Sequence, residues 1–158
     1  MFAVTISWAH KLFAELKNIE LYEILALRQK VFIVEQQDIY LDADGKDLNA
    51  VHLMGYDDDA NKKITAYARI VFPDSASTQN TTSFGRVIVD KSYRGIKLGK
   101  RLIEQVLEYL QSSDYSKYPI KISAQTYLID FYKSFGFESV GEIYLDGTIE
   151  HIDMVKRS

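Results

Sequence analysis

The pattern of apolar and polar positions predicts helices and strands in alternation. Apolar residues at helical spacing from Asn18 to about Gln36 predict an amphipathic helix, capped by Asn18 and broken near residues 31–34, where β-branched side chains crowd. An apolar run at 51–56 and a period-two pattern at 64–72, joined by turn-forming residues, predict a β-hairpin. In its second strand, one face is expected to carry Ile64, Ala66, Ala68, Ile70 and Phe72.

The second half of the chain changes period several times. A strand is predicted at 84–89 and another at 120–124, and between them a helical stripe comprises Leu98, Leu102, Ile103, Val106, Leu107 and Leu110. A further helix is expected at about 127–135, ended by Gly136 in the left-handed cap position. Two final strands, at 137–145 and 148–155, are expected to meet at Asp146-Gly147, a strong hairpin signal. Residues 38–49 and 73–83 are predicted as loops.

The order of these elements predicts an α/β (α+β) fold in one domain, residues 1–158. We expect a mixed sheet flanked by helices, with a parallel, right-handed strand-helix-strand unit in the middle. Ligands in such sheets bind where strand ends diverge, so the turn after Val89 becomes the first candidate for a site.

Composition narrows the chemistry. The 158 residues contain no cysteine, which excludes disulfides, thiolate metal sites and a covalent intermediate on a protein thiol. The net charge is −3 and no basic stripe is present, so neither DNA nor RNA is an expected partner. The first residues mix charge with apolar positions and match neither a signal peptide nor a membrane span, so we expect a cytoplasmic protein that does not bind membranes.

The segment from Val87 to Lys100 runs from a strand through a glycine-bearing basic turn into a helix. Free backbone N–H groups at the helix start, together with Arg94, Lys97 and Lys100, suit an anionic phosphate. An ordinary β-to-α turn would show the same glycines. A Walker loop does not fit, because Gly95 and Gly99 are too close together and Arg101 follows Lys100. The Gly-x-Gly-x-x-Gly dinucleotide motif is also absent.

This segment resembles motif A of the GNAT superfamily of acyltransferases, Arg/Gln-x-x-Gly-x-Gly/Ala. Arg94 and Gly99 match, and Lys97 stands where the middle glycine is usual. Further along, Gln125 precedes Tyr132 by seven positions and Phe135-Gly136-Phe137 follows, which is similar to motif B with Gln125 in place of an asparagine. Both motifs stand in the family's order on the element types it requires.

The resemblance extends over nearly the whole chain to the ElaA branch of that superfamily, whose members also carry lysine at the middle position of motif A. The matching positions include Trp8, Leu27-Arg28, Val34-Glu35-Gln36, Asp44, Asp47, His52-Leu53, Ala66-Tyr67-Ala68-Arg69, Gly85-Arg86-Val87-Ile88-Val89 and His151-Ile152. The resemblance implies a GNAT-like, mostly antiparallel sheet, acetyl-CoA as co-substrate without a metal, an amine acceptor and a possible homodimer.

The resemblance also implies roles for single residues. The backbone of Val87, Ile88 and Val89 would pair with the pantetheine arm of acetyl-CoA, and Gln125 would lie on the cofactor side. Tyr132 would protonate the departing thiolate; its place on an aromatic helix face alone would favour packing, and the match to motif B favours the catalytic role. The pyrophosphate would bind the turn formed by Arg94, Gly95, Ile96, Lys97, Leu98, Gly99 and Lys100.

A lysine-like ammonium is mostly protonated at pH 7, so the reaction needs a group that accepts a proton. Glu35 is the first candidate, and a surface carboxylate or a partner for Arg28 is its equally weighted alternative. His52 and His151 are second candidates. The acidic loop at 42–47 fails as a calcium loop and is expected to be solvated, or to form an acidic lip that attracts a cationic amine.

Two functions therefore stay open on the sequence. One is an N-acetyltransferase in which acetyl-CoA and an amine of a small molecule or peptide bind together and react directly. The other is a non-catalytic acyl-CoA sensor or interaction module that keeps the cofactor turn.

Overall fold

The computed structural model describes residues 3–74, 76 and 78–158, so the predicted loop at 73–83 lies partly outside the described residues. The strands are β1 (Ile6–Leu12), β2 (Val51–Asp57), β3 (Lys63–Val71), β4 (Ser83–Val89), β5 (Ile120–Gln125), β6 (Glu138–Asp146) and β7 (Ile149–Lys156). The α-helices are α1 (Asn18–Arg28), α2 (Leu98–Ser112) and α3 (Ile129–Lys133), and a π-helix (Gln29–Glu35) continues α1. Short 3₁₀ turns cover Phe13–Glu15, Lys46–Asn49, Lys91–Tyr93 and Thr126–Leu128.

The strands form two antiparallel sheets, in the orders β1-β2-β3-β4 and β5-β7-β6. One parallel bridge, between Thr82 and Ile120, joins them, and the Lys121 N–H donates to the Thr82 carbonyl over 2.9 Å. In the described part of the chain no further backbone pairing connects β4 to β5. The predicted mostly antiparallel sheet with a parallel unit in its middle is thus confirmed, and one edge of β4 is left unpaired as it approaches Val89.

The core lies on both faces of the four-stranded sheet. Val51, Leu53, Ala68 and Ile70 pack with α2 on one face, and the predicted apolar stripe of α2 is buried there. Tyr67, Met54 and Ile88 pack with α1 and the π-helix on the other face. The alternation in β3 therefore predicts the two faces correctly at most positions.

Ile64 is the exception to that alternation. We expected it beside Ala66, but it belongs to the core under α1. The reason is a register shift in the β2–β3 ladder between Gly55 and Tyr56, which inserts Thr65 and exchanges the faces on either side of it. Strand β1 was not predicted, because only Ile6 of its seven residues is buried and an edge strand of this kind gives little periodicity.

The predicted helices differ from the observed ones mainly at their ends. The helix expected from Asn18 to Gln36 changes at Gln29 to π geometry, close to the expected break, and the Gln36 N–H bonds the Val31 carbonyl at 3.0 Å. The helix expected at 127–135 is a 3₁₀ turn followed by the five residues of α3. No helix among the described residues combines the length and apolar character needed to cross a bilayer.

Gly55 offers a direct test of the packing between β1 and β2. It pairs with Trp8, and a Cβ added to Gly55 would lie 2.8 Å from Trp8 Cζ3 and 3.2 Å from Ala66 Cβ. Overpacking of this kind costs about 1–3 kcal/mol, so we predict that Gly55→Ala lowers the free energy of unfolding by that amount in urea titrations. Gly85→Ala is the matched control, since its Cβ would meet nothing within 4 Å. Equal stability of the two variants would contradict the prediction.

Candidate functional site

The turn after β4 is anchored by one buried carboxylate. Asp90 accepts a hydrogen bond from the Ser92 N–H at 3.0 Å. It also forms an ion pair with Lys30 of the π-helix, with 3.0 Å between the charged groups. Burial opposes ionisation of Asp90, but these two partners together with Lys63, at 3.7 Å, outweigh it, so the pKa of Asp90 is lowered. The carboxylate therefore fixes both the 3₁₀ turn and the position of the π-helix beside it.

The next residues form a concave run of backbone. Gly95 and Lys97 both have left-handed φ values, 85° and 60°. No described residue accepts a hydrogen bond from the N–H groups of Gly95, Ile96 or Lys97, and the first N–H groups of α2 have no partner within the helix. Such N–H groups are the donors that a phosphate uses at a helix start.

The turn has room for a diphosphate. A Cβ on Gly95 would meet nothing within 4 Å, and one on Gly99 would meet only Val89 Cγ2, at 3.8 Å. Leu98 points into the core and offers the turn only its backbone, whereas Ile96 and Lys97 are exposed. Lys100 is exposed one helical turn from Glu104, with 3.8 Å between their charged groups. The residues described here thus fit the group that the sequence led us to expect.

Beyond the Thr82–Ile120 bridge, β4 and β5 share no backbone pairing among the described residues, and the space between them is called the gap below. The last residues of β4 present their unpaired edge to this gap. Ile88 and Val89 pair with Tyr67 and Ala66 of β3 on the other edge. Arg86 has φ of 50° and lies where the ladder shifts register, so β4 bends just before Val87. An extended chain could add to this free edge through main-chain hydrogen bonds.

Arg94 crosses the mouth of this gap. Its Nη2 donates to Glu35 Oε2 at 2.9 Å, and its Nε donates to the Val89 carbonyl at 3.0 Å. The partner of Glu35 is therefore Arg94, and the alternative of a pair with Arg28 is wrong. The second carboxylate oxygen of Glu35, Oε1, is buried without a hydrogen bond from any described residue.

Gln36, the next residue, reaches the other side of the gap. Gln125, at the end of β5, donates from Nε2 to Gln36 Oε1 at 3.2 Å, and Gln36 Nε2 donates to Gln125 Oε1 at 3.4 Å. The two side-chain amides thus bind each other reciprocally. Gln36 appeared in the sequence only as part of a family pattern, and no local signal showed that it would meet a residue 89 positions away.

Tyr132 lies on α3 and is part of the hydrophobic core beside β4. It is 5% exposed, and its ring packs against Phe84 of β4 and Phe137, with centroids 6.2 and 6.0 Å apart. Burial, with a smaller effect of the nearby Tyr127 phenol, raises the pKa of Tyr132 above its usual value. No described residue shares a hydrogen bond with its hydroxyl group. The phenol is therefore protonated at neutral pH, and its hydroxyl is available to donate a hydrogen bond to a ligand.

The two histidines considered as bases differ in their surroundings. His52 is fully buried, and both its ring nitrogens are engaged, Nδ1 by the Tyr67 hydroxyl at 2.8 Å and Nε2 by the Asp47 carbonyl at 2.9 Å. Burial lowers the pKa of His52 and keeps it neutral. His151 is half-buried and lies opposite Gln125 across the β5–β7 ladder, with Nδ1 at 2.9 Å from the Ile149 carbonyl. His151 thus stays near the gap, and His52 belongs to the protein interior.

The acidic loop is exposed at residues 43–46, but Asp42 and Asp47 are buried and its three carboxylates are paired with arginines. Arg28, which is fully buried, binds Asp42 at 2.7 Å and Asp47 at 2.6 Å. Two further arginines bind the loop and complete an arginine-aspartate network. Arg69 binds Asp44 at 2.7 Å and Asp47 at 3.1 Å, and Arg86 binds Asp42 at 2.8 Å. Three arginines therefore neutralise the loop, which corrects the expectation of free carboxylates there. No group of three or more histidine or acidic side chains among the described residues could hold a metal ion.

Comparison with known proteins gives this arrangement a context. The model of the acetyltransferase (GNAT) domain family matches residues 50–158. A UPF0039 protein of Synechocystis is 40% identical over 96% of both chains, and protein ElaA of Escherichia coli is 38% identical, again over 96% of both. The crystal structure of E. coli ElaA has a TM-score of 0.87 at 36% identity, covering 97% of this chain and 100% of that one. An acyl-CoA N-acyltransferase of Pseudomonas aeruginosa gives 0.87 at 36% identity, covering 96% and 99%.

The fold and the site define an acyltransferase of the acyl-CoA-dependent kind. The chain belongs to the GNAT acetyltransferase family, and its relatives of similar length include ElaA. The expected family and branch are thereby confirmed, and acyl transfer from an acyl-CoA to an acceptor is the chemistry that this membership supports.

The arginine-aspartate network makes stability depend on pH in a defined direction. Hydrogen bonding from Arg69 lowers the pKa of Asp44; burial opposes ionisation of Asp47, but Arg28 and Arg69 outweigh it, and its pKa is lowered too. A folded-state pKa below the unfolded value of about 3.9 gives stabilisation that is complete above that pH and is lost as pH falls through the folded value.

We predict that Asp47→Asn lowers the free energy of unfolding at pH 7 by about 3 kcal/mol, because two buried guanidinium groups lose a charged partner. The loss of stability between about pH 4 and pH 2 becomes shallower in the variant. Urea titrations at several pH values measure both effects. Asp114→Asn, at an exposed position, is the control, and an equal response of the two variants would refute the prediction.

Proposed function

We propose that this protein is an N-acetyltransferase that moves the acetyl group of acetyl-CoA directly to an amine of a small molecule or peptide. One domain holds both substrates in a ternary complex. The observation that carries the proposal is the run of free N–H groups from Gly95 to the start of α2, next to the unpaired edge of β4. Together they offer donors for a diphosphate and a strand edge for the amide-bearing pantetheine arm.

The transfer itself requires two proton movements. The amine nitrogen forms a bond to the acetyl carbon, the carbon–sulfur bond breaks, and the amine loses a proton while the thiolate gains one. No cysteine is available to carry the acetyl group, which agrees with direct attack by the amine. The chain must therefore supply an acceptor for the first proton and a donor for the second.

Tyr132 is the proposed donor. A phenol keeps its proton across the neutral range, burial favours the protonated form further, and the Tyr132 hydroxyl is not committed to another described residue. Its ring is fixed by Phe84 on one side and Phe137 on another, so the hydroxyl is held in one orientation. A donor placed in this way can meet the sulfur as negative charge develops on it.

Glu35 is the proposed acceptor of the amine proton, directly or through water. It is the last residue of the π-helix and binds Arg94 of the basic turn, which in turn donates a hydrogen bond to the Val89 carbonyl. Its Oε1 is buried without a hydrogen bond and Oε2 binds Arg94, so the carboxylate has an unused acceptor atom that a rotation of the side chain would bring to a donor such as an amine. His151, next to Gln125 across the ladder, is the second candidate.

The proposed cofactor turn is tested by binding. A leucine at position 99 would enter the space between α2 and Val89, where the Cβ already approaches Val89 Cγ2 at 3.8 Å. We predict that Gly99→Leu weakens CoA binding at least tenfold in isothermal titration calorimetry without lowering the melting temperature. Glu104→Leu, at an exposed position of the same helix, should bind CoA like the wild type. Absence of CoA binding to the folded wild type would overturn the proposed function.

The proposed acid is tested by turnover. With acetyl-CoA and a pool of primary amines, we predict amine-dependent release of free CoA, and a loss of about 10²-fold or more in kcat for Tyr132→Phe with acetyl-CoA affinity unchanged. Tyr115→Phe removes a hydroxyl from a tyrosine stacked on Phe72 and is the control. Unaltered turnover in Tyr132→Phe would remove Tyr132 from this role. Saturable CoA binding without any amine-dependent release would favour a sensor over an enzyme.

A further inference from the structure

Two consecutive residues at the end of the π-helix connect the two sides of the gap between β4 and β5. Glu35 is bound to Arg94, which follows β4, and Gln36 is bound to Gln125, which ends β5. The π-helix is itself tied to the turn by the Lys30–Asp90 ion pair. The end of this helix therefore spans the proposed acyl-CoA site between its two walls.

Two of the three guanidinium nitrogens of Arg94 are engaged by groups of that same site. Its Nη2 binds the proposed base, and its Nε binds the carbonyl of Val89, a backbone acceptor on the free edge of β4. The side chain of Arg94 is nearly half exposed, at 44%, so it can turn without unpacking the core. In this conformation it occupies groups that both substrates require.

We propose that the diphosphate of acyl-CoA and the carboxylate of Glu35 compete for Arg94, so that acyl-CoA binding releases Glu35 to the acceptor amine. The inference rests on the proposed function, because it assigns the diphosphate to the basic turn. Arg94 binds one partner or the other, and its departure from Glu35 also frees the Val89 carbonyl for the pantetheine arm.

The charges and geometry favour this exchange. A guanidinium binds phosphate oxygens in a bidentate manner, with strong charge-assisted hydrogen bonds. The ion pair that it gives up is partly exposed and uses one carboxylate oxygen, and pairs of that kind contribute little. Once released, Glu35 offers both oxygens to a cationic or neutral amine. The acceptor site is then complete only when acyl-CoA is present, so acyl-CoA binds first.

The test is a double-mutant cycle in CoA affinity, measured by calorimetry at low ionic strength. Glu35→Gln keeps the size of the side chain and removes the competitor, so CoA should bind about threefold more tightly, the range expected for a partly exposed ion pair. Arg94→Gln should weaken CoA binding. In the Arg94→Gln background, Glu35→Gln should change the affinity no further, because the guanidinium for which Glu35 and the diphosphate compete is absent.

A matched control separates exchange from a general effect of charge. Glu104→Gln removes the same negative charge near the turn, from a residue whose neighbour is Lys100, and should leave CoA affinity within about twofold of the wild type. Equal or weaker CoA binding by Glu35→Gln would overturn the inference while leaving the proposed function intact, and so would an equal gain in Glu104→Gln or in the Arg94→Gln background. A wild type that does not bind CoA would overturn both.

Discussion

The candidate site of this protein depends on a strand edge, that of β4 facing β5, which the described residues leave without a ladder of backbone hydrogen bonds. Strands β4 and β5 meet at Thr82 and Ile120 and share no further ladder in the described chain. Backbone N–H and C=O groups are obligatory hydrogen-bonding groups, and an unpaired strand edge inside a fold costs free energy unless something satisfies it. Here the side chain of Arg94 satisfies the Val89 carbonyl, and the remaining edge is available to an extended ligand. The gap is thus where backbone pairing between the two sheets is least complete, and it is where we propose that the pantetheine arm adds.

Keeping such a gap open requires rigid walls. On the side of α1, the wall is held by buried charge: Arg28, Arg69 and Arg86 gather the loop at 42–47 against β3 and β4. Buried ion pairs contribute little net stability, but removal of one partner is costly, so a network of this kind favours one arrangement of loop and strand over its alternatives. The register shift at Arg86, next to the network, bends β4 at the residue before Val87. The network and the bend together set where the free edge of β4 points.

Local periodicity predicted most of the fold, and long-range contacts account for what it missed. The stripe of α2 and the alternation in β3 were sufficient for those elements, whereas the half-buried edge strand β1 and the shifted face of Ile64 depend on neighbours that periodicity does not describe. The turn at 94–100 could be proposed as a phosphate site from the sequence because its glycines, basic residues and helix start are consecutive. The partner of Glu35 could not be predicted, because Arg94 is 59 positions away and meets it only through the π-helix. The expectation of free carboxylates in the acidic loop was wrong for the same reason, since the arginines that pair with them come from three other segments.

Lys97 shows how the basic turn departs from a glycine-based one and keeps its shape. The residue has φ of 60°, a left-handed conformation that costs a non-glycine residue about 1 kcal/mol. Glycine would avoid that cost, so the conformation here is imposed by the turn, between Gly95, also left-handed, and the first turn of α2. A lysine at this strained, exposed position adds a positive charge beside the free N–H groups, which glycine could not. The turn therefore combines a left-handed backbone and free N–H groups with a side-chain cation, which are the features expected of an anion site.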